Sequence, residues 1–279
     1  MNRKKLPIGI QTFADMVSGG YYYVDKTGMI ADLIGSGKHF FLARPRRFGK
    51  SLLVDTIKAV FEGRQALFAG LAIDARWDWR QIHPVLKLSF GDGHWSDVAA
   101  LSAGLAQQLA EAERAAGLTA QYTDVRARLR DLLVRLHGAH GLPVVVVVDE
   151  YDKPILDCID QPGRARAMRE LLKNVYSVFK DLDDRLRFVL LTGVSKFSKV
   201  SLFSGLNNLN DITLDARWSA LCGYTEAEVD QVFHAECEGL DRAEMKRWYN
   251  GYSATRSRLS KLFRLTKRNH SYHRMNLQA

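Results

Sequence analysis

The sequence has few cysteines and no long apolar run. Cys158, Cys222 and Cys237 are widely spaced, odd in number and without a CxxC pattern. Scattered thiols of this kind argue against a disulfide framework and predict buried or incidental cysteines in a reducing cytoplasm. No apolar segment reaches the length of a signal peptide or of a membrane span. We therefore expect a cytoplasmic protein that does not contact a membrane.

Acidic residues are absent from positions 253–279, a segment that contains seven Lys or Arg. The whole chain carries a formal net charge of +9, and residues 1–252 hold 33 basic residues against 31 acidic ones. The body of the protein is therefore nearly neutral, and its charge does not indicate a fold that binds nucleic acid throughout. We expect residues 253–279 to form a basic, disordered tail.

Internal repeats and low-complexity segments are also missing. The 279 residues, 47% hydrophobic and 25% charged, have the composition of a soluble globular protein. This length accommodates one large α/β domain with a small appendage.

Short apolar segments alternate with helical patterns along the chain. Strands are predicted at about 39–43, 84–90, 143–149 and 187–193, with a short last strand at 212–214. Helices are predicted at about 49–62, 96–137 with a break at Gly117, and 162–182. The alternation predicts βαβ units and an α/β fold, a three-layer sandwich with helices around a mostly parallel sheet.

Two further local patterns complete the predicted order of elements. Tyr21–Val24 is predicted as a short aromatic strand leading into a helix that Asp25 or Thr27 caps. Thr225 and Glu228 have the spacing of a capping box and predict the start of another helix. We expect this second helix to belong to a partial helical lid.

Gly49-Lys50-Ser51 stands where the strand at 39–43 turns into the next helix. Backbone N–H groups and the helix dipole make such a helix N-terminus a binding site for anions. In a P-loop, Lys50 reaches the β- and γ-phosphates of ATP and Ser51 coordinates Mg²⁺. Arg44 occupies the place of the usual first glycine, six residues before Lys50. The predicted nucleotide-binding residues are Arg46, Arg47, Phe48, Gly49, Lys50, Ser51 and Leu52.

The five valines at 144–148 end in the adjacent acids Asp149 and Glu150. Such a run is typical of a strand buried on both faces, and carboxylates at its end lie where open α/β sheets bind ligands. This predicts a Walker B element. In it, Asp149 is a metal-binding residue that holds the Mg²⁺ hydration shell, and Glu150 polarises the attacking water. By itself the pattern also fits a core strand followed by a solvated acidic turn. The P-loop pattern about a hundred residues earlier favours the nucleotide site, and the two motifs together predict that the three-layer α/β sandwich is of the P-loop NTPase type.

Hydroxyl groups follow the strand at 187–193. Thr192 is the first candidate and Ser195 the second for a catalytic contact with the γ-phosphate or with the attacking water. Hydroxyls at this position also commonly satisfy the backbone of a turn, and both alternatives remain open.

Further motifs, in the same order along residues 6–252, resemble those of the bacterial AAA-ATPase-like family, whose members are often joined to a C-terminal PD-(D/E)XK nuclease-like domain. The matching segments are Pro7–Phe13, Tyr23–Thr27, Arg44–Ser51, Asp149–Pro154, Thr192–Ser198, Leu221–Glu226 and Trp248–Tyr252. The resemblance implies a module that binds ATP. The Arg-Pro-Arg-Arg-Phe loop is usual in this family, so Arg44 does not argue against nucleotide binding.

The resemblance implies an N-terminal extension (1–38), an ATPase core (39–218) and a partial helical lid (219–252), followed by the tail. Family members usually continue after the Tyr-Asn-Gly-Tyr motif into more of the lid and then the nuclease-like domain. The abrupt change of composition at Ser253 instead resembles a truncated or frameshifted reading frame. We therefore expect no nuclease-like domain in this chain.

Three hypotheses for function follow. The first is an ATPase that hydrolyses ATP with Mg²⁺, and the second is a nucleotide-binding switch or interaction module with negligible turnover and an unknown protein partner. A third is nucleic-acid binding through the tail and the cluster of Arg44, Arg46 and Arg47. Phosphate contact or a solvated loop is the simpler explanation of that cluster.

Overall fold

The computed structural model describes residues 3–195 and 208–242 of the chain. In these residues a single five-stranded sheet forms the centre of the molecule, and each of its paired strands runs parallel to its neighbours. The strands are β1 (His39–Ala43), β2 (Val85–Ser89), β3 (Val144–Asp149), β4 (Leu186–Gly193) and β5 (Asn210–Asp211). Their order across the sheet is β2-β3-β4-β1-β5, which confirms the predicted α/β fold class.

Helices cover both faces of this sheet. They are α1 (Phe13–Ser18), α2 (Thr27–Ser36), α3 (Lys50–Phe61), α4 (Val98–Ala115), α5 (Val125–His140), α6 (Lys153–Leu156), α7 (Pro162–Asp181), α8 (Glu226–Val232) and α9 (His234–Cys237). Apolar residues of α4, α5 and α7 form one core with one face of the sheet. Those of α1, α2 and α3 form a second core with the other face. The result is the three-layer arrangement that the sequence predicted.

The valine run of β3 shows why a strand between two helical layers is apolar throughout. Val144, Val146 and Val148 belong to the core under α4, α5 and α7. Val145 and Val147 face the opposite core. Successive side chains of a strand alternate between the two faces of a sheet, so both sets must be apolar here.

The predicted helical region 96–137 consists of two helices, α4 and α5, separated around Gly117. Each begins at an aspartate whose side chain accepts a backbone hydrogen bond, Asp97 from Ala100 and Asp124 from Ala127. These carboxylates satisfy amide groups that the first turn of a helix leaves without partners.

Two predicted strands differ from the observed structure. The last strand of the sheet lies at Asn210–Asp211, two residues before the predicted 212–214, and it pairs with Phe40 and Phe41 of β1. Tyr21 forms only an isolated bridge with Lys5, so the predicted aromatic strand is not part of the sheet.

The N-terminal segment and α8 lie against each other. Val24 belongs to an apolar cluster with Val229, Phe233 and Cys237. The Lys26 ammonium forms an ion pair with the Glu228 carboxylate. The predicted capping box is present: Thr225 accepts from the Glu228 amide, and the Glu228 carboxylate accepts from the Thr225 amide.

Several parts of the sequence lie outside the described residues. They include Lys196–Ser198, the Trp248–Tyr252 motif and the basic segment 253–279. Among the helices that are described, none combines the length and the apolar character needed to cross a membrane.

Candidate functional site

The predicted site residues meet at the carboxyl ends of three neighbouring strands. β4 lies between β1, which leads into the P-loop, and β3, which ends at Asp149. The register pairs Leu42 with Thr192 and Val148 with Leu191, so Thr192 is level with the end of both outer strands. Parallel strands end at the same edge, and a ligand there can contact groups from all three.

The P-loop contains two residues in the left-handed region of backbone conformation. Arg47 has a φ of 68° and Gly49 a φ of 82°, and α3 begins directly afterwards at Lys50. Glycine adopts this conformation without steric cost, whereas a residue with a Cβ is strained there. Within the described part of the chain, the other non-glycine residue with positive φ is Glu150, at 54°. Arg47 in the P-loop and Glu150 after β3, the two non-glycine residues in this conformation, thus both lie in the candidate site.

Lys50 is buried, and its ammonium group is turned back onto the loop. Its Nζ donates to the carbonyl oxygens of Arg44 at 3.0 Å and Pro45 at 3.1 Å. Burial lowers the pKa of Lys50, and the nearby carboxylates of Asp149, Glu150 and Asp152 oppose this shift. The lysine thus lies within the field of both predicted Walker B carboxylates.

Arg44 is buried as well, with a side chain that points into the protein. Its guanidinium donates to the carbonyl oxygens of Ala43 and Trp218, each at 3.2 Å, and to that of Thr213. Burial lowers the pKa of Arg44. Arg46 and Arg47 are exposed. The basic cluster suggested by the sequence is therefore reduced to two exposed arginines, and Arg44 does not contribute a surface charge.

Thr192 holds the Asp149 carboxylate in place. Its hydroxyl lies 2.6 Å from Asp149 Oδ1 and 3.3 Å from the carbonyl oxygen of Val148. Both Thr192 and Asp149 are buried. A hydroxyl has one proton to donate, and the shorter contact to the carboxylate takes it. Thr192 thus contacts the carboxylate, a partner that the sequence prediction did not include.

Glu150 follows Asp149 and is half-buried. Burial raises the pKa of its carboxyl group, as does the neighbouring Asp149, while Lys50 and Arg46 oppose the shift. The Glu150 carboxylate also borders the turn after β2, where a Cβ added at Gly91 would lie 3.5 Å from Glu150 Oε2. A carboxylate whose affinity for a proton is raised is suited to act as a general base.

Ser195, the second hydroxyl candidate, belongs to a different cluster. Asp152 accepts hydrogen bonds from the Val194 amide and from both the amide and the hydroxyl of Ser195, the latter at 2.9 Å. Tyr151 donates its hydroxyl to the Ser195 carbonyl at 2.9 Å. The structure therefore separates Ser195 from Thr192.

Asp152 was not among the predicted site residues, although it is almost fully buried and shapes the segment after β4. Its position in the sequence Asp-Glu-Tyr-Asp, three residues after Asp149, was the available signal. Gly193 is required by the same packing, because a Cβ there would lie 2.3 Å from a ring carbon of Tyr151 and 2.7 Å from Asp152 Oδ1.

A largely apolar cavity lies beside the P-loop. Its walls come from the N-terminal segment, the start of α3 and residues 221–224, which precede α8. The lining residues are Met16, Tyr23, Val24, Lys26, Ile30, Phe48, Gly49, Leu52, Leu53, Thr56, Leu221, Cys222, Gly223 and Tyr224. Burial raises the pKa of Tyr224 to about 12 and that of Cys222 to about 11, so both side chains are neutral at pH 7. The cavity thus offers a mostly uncharged surface next to a cationic loop.

The predicted metal residues supply oxygen atoms only, the hydroxyl of Ser51 and the carboxylate of Asp149. Magnesium prefers such donors and usually takes one or two carboxylates together with phosphate and water oxygens. The described residues contain no group of three or more His, Cys, Asp or Glu arranged around a metal. The donor set therefore fits a magnesium ion that arrives with a phosphate ligand.

Comparison with known proteins gives two matches. A family model described as predicted AAA-ATPase matches residues 7–203. An uncharacterized protein in the vnfD 5′ region of Azotobacter chroococcum mcd 1 is 56% identical over 256 residues. That alignment covers 91% of this chain and 50% of the relative, so the chain spans about half the relative's length. No solved structure matches the chain.

Proposed function

The chain belongs to the predicted AAA-ATPase-like family, and on this premise we propose that it binds ATP with Mg²⁺ and hydrolyses it to ADP and phosphate. The observation that carries the proposal is the convergence of Lys50, Asp149 and Glu150 at the carboxyl edge of a parallel sheet. Lys50 lies about a hundred residues before the two adjacent acids in the sequence, and each of the three is of the chemical type that phosphoryl transfer requires.

The phosphates of ATP bind at the N-terminus of α3 in this proposal. Backbone amides of residues 46–52 surround the phosphate oxygens, and the helix dipole adds to the attraction. Lys50 exchanges its two carbonyl acceptors, on Arg44 and Pro45, for oxygens of the β- and γ-phosphates. A phosphate compensates the buried ammonium charge better than two neutral carbonyls do, which favours this exchange.

Ser51 and Asp149 would hold a magnesium ion, which would supply charge neutralisation for the phosphates. Thr192 acts as a positioning residue, because its hydroxyl fixes the Asp149 carboxylate. Glu150 accepts a proton from the attacking water, whose oxygen forms a bond to the γ-phosphorus. The bond from the γ-phosphorus to the β-phosphate oxygen breaks at the same time, and ADP leaves with the electron pair of that bond. The raised pKa of Glu150 supports this role as a proton acceptor.

The base of the nucleotide occupies the apolar cavity beside Phe48 and Gly49. Two aromatic side chains form part of its lining, Tyr23 from the N-terminal segment and Tyr224 from the residues that precede α8. In this proposal the described residues 16–30 of the N-terminal extension and residues 221–224, which precede α8, enclose the base between them.

Replacing Lys50 by alanine tests the binding site. Lys50→Ala is expected to weaken ATP binding by roughly 1.5–3 kcal/mol, because it removes a charged contact to phosphate. Isothermal titration of the purified chain with Mg²⁺ and ATP measures the change.

Lys58→Ala is the matched control, since Lys58 lies on the same helix and pairs with Glu62 at the surface. The control is expected to keep the affinity of the unmodified chain. Equal affinities for the Lys50→Ala and Lys58→Ala variants would refute the P-loop assignment.

A further inference from the structure

The side chain of Arg44 joins the P-loop to the segment that follows β5. Its Nη2 lies 3.2 Å from the carbonyl oxygen of Trp218, and its Nη1 donates to the carbonyl oxygen of Thr213. The same segment is tied to β1 by a second bond, from the Ala43 amide to the Thr213 hydroxyl at 3.0 Å. Two adjacent residues at the end of β1 therefore bind this segment.

The backbone of Arg44 faces the other way, toward the nucleotide site. Its carbonyl oxygen accepts the Lys50 ammonium at 3.0 Å, and its amide donates to the Gly193 carbonyl at 3.0 Å. One residue thus contacts Lys50, the end of β4 and the segment after β5.

The segment held by Arg44 continues directly into a wall of the apolar cavity. After Trp218, residues 221–224 line that cavity and then lead into α8. The guanidinium is bonded to the Trp218 carbonyl, three residues before Leu221, and therefore lies close to the start of this wall as well as to the P-loop.

Burying the Arg44 cation costs free energy, and this cost argues that the side chain has a specific role. Arg44 is 3% exposed, its hydrogen-bond acceptors are neutral carbonyls, and its Nε has no hydrogen-bond partner in the described structure. The Asp211 carboxylate favours the charged form of Arg44 but forms no ion pair with it in the described structure. A buried charge without a directly bonded carboxylate normally destabilises a protein. The planar fork of a guanidinium does, however, reach separate carbonyls at fixed positions, which a lysine cannot reproduce.

We propose that Arg44 is a positioning residue that sets the cavity wall at residues 221–224 relative to the P-loop, so that one nucleotide engages both. The inference rests on the proposed function and deepens it. Arg44 contributes to recognition of the base, although its own side chain contacts neither base nor phosphate.

The test compares ATP with inorganic tripolyphosphate, which has the phosphates but no base. Affinities of both ligands are measured by titration calorimetry with Mg²⁺, together with the thermal unfolding temperature. The variants are Arg44→Met, Arg44→Lys and the control Arg46→Met, which changes an exposed arginine of the same loop.

The unmodified chain is expected to bind ATP more tightly than tripolyphosphate. In Arg44→Met the ratio of the two affinities falls on the order of tenfold, because the wall is no longer held. Arg44→Lys retains the charge and part of the bonding, so its ratio falls less. Arg46→Met weakens both ligands by a similar factor and leaves the ratio unchanged.

An unchanged ratio in Arg44→Met overturns the inference, even where both affinities and the unfolding temperature drop. Should Arg44→Met fail to fold, the same ratio is measured for Arg44→Lys, and an unchanged ratio in that variant overturns the inference. Equal affinity of the unmodified chain for ATP and tripolyphosphate overturns the inference but leaves the phosphate site intact. Binding of neither ligand refutes the proposed function itself.

Discussion

At the scale of single residues, backbone strain is concentrated where the nucleotide chemistry is proposed. Arg47 and Glu150 are the two non-glycine residues with positive φ in the part of the chain that the structure describes. Such conformations cost about 1–3 kcal/mol each and persist where the surrounding structure enforces them. Nothing in the identity of an arginine or a glutamate indicates this strain, so it could not be predicted from the sequence.

Replacing Glu150 by glutamine separates binding from hydrolysis. Glu150→Gln is expected to retain ATP and to lose roughly 10²–10⁴-fold in turnover, because the amide keeps the shape but cannot accept the proton. Phosphate release measures turnover, and calorimetry on the same sample measures binding. Glu170→Gln, an exposed position on α7, is the control and should keep both properties.

Two outcomes would contradict this assignment in different ways. Unchanged phosphate release by Glu150→Gln would show that another group activates the water. Absence of release above background from the unmodified chain, with ATP still bound, would favour the nucleotide-binding switch with negligible turnover.

A buried histidine links stability to pH. His83 is 5% exposed, and its Nδ1 donates to the Pro143 carbonyl at 2.8 Å. Burial lowers the pKa of His83 in the folded protein, with a smaller contribution in the same direction from Arg187. The unfolded chain therefore binds a proton more readily, and the free energy of unfolding decreases as pH falls below about 6.5.

His83→Gln is expected to reduce this pH dependence, by up to about 1.4 kcal/mol per pH unit for one proton. Part of the dependence should remain, because burial also lowers the pKa of His39. Urea unfolding at pH 7.5 and 5.5 gives the two free energies that are compared. His94→Gln, which changes an exposed histidine, is the control. The same pH dependence in both variants would exclude His83 as its source.

At the scale of elements, the sequence predicted the strands whose burial produces an apolar run. β1 and β3 lie where their patterns indicated, because helices cover both of their faces. The last strand was misplaced by two residues. Ile212 is buried by packing, whereas the paired residues Asn210 and Asp211 are polar and carry no strand signal.

Strand order was beyond the reach of the sequence pattern. The spacing of motifs along the chain does not say which strands pair, and the insertion of β4 between β1 and β3 is what brings Thr192 to Asp149. The direction of the Arg44 side chain could not be predicted from the sequence either. Its acceptors are backbone carbonyls of Thr213 and Trp218, and any residue type provides a carbonyl.

The capping box of α8 provides a prediction at this scale. Glu228 accepts from the Thr225 amide and also pairs with Lys26, so the start of the helix is tied to the N-terminal segment. Thr225→Ala is expected to destabilise α8 by about 1 kcal/mol, because an amide of the first turn loses its partner.

Hydrogen exchange of the amides in Glu226–Val232 should report this change directly, with an increase in rate of roughly fivefold. Thr119→Ala, at an exposed position before α5, should leave those rates unchanged. Unaltered exchange in Thr225→Ala would mean that the cap does not stabilise this helix.

At the scale of the whole molecule, the basic charge is unevenly distributed. Residues 1–252 are nearly neutral, and seven basic residues without any acid stand in 253–279. With Arg44 buried, the loop cluster retains two exposed arginines for contact with a polyanion. The C-terminal segment is therefore the stronger source of attraction for a polyanion such as nucleic acid.

Deleting residues 253–279 should leave the unfolding temperature and the affinity for ATP nearly unchanged. Leu259, Leu262, Phe263 and Leu265 are too few to bury much apolar area, so we expect the segment to add little to the core. The same deletion should abolish any retention of the protein on immobilised DNA, since clustered Lys and Arg bind polyanions by releasing counterions. Retention by the full chain should weaken steeply between 50 and 200 mM salt.

A second variant distinguishes charge from chain length. In it, the seven basic residues of the segment are replaced by glutamine, and DNA retention should be lost as in the deletion while the unfolding temperature stays the same. A large drop in unfolding temperature on deletion would instead show that the segment completes the lid. Such a drop would contradict the interpretation of residues 253–279 as a separate basic tail, because a segment that stabilises the core must bury surface against it.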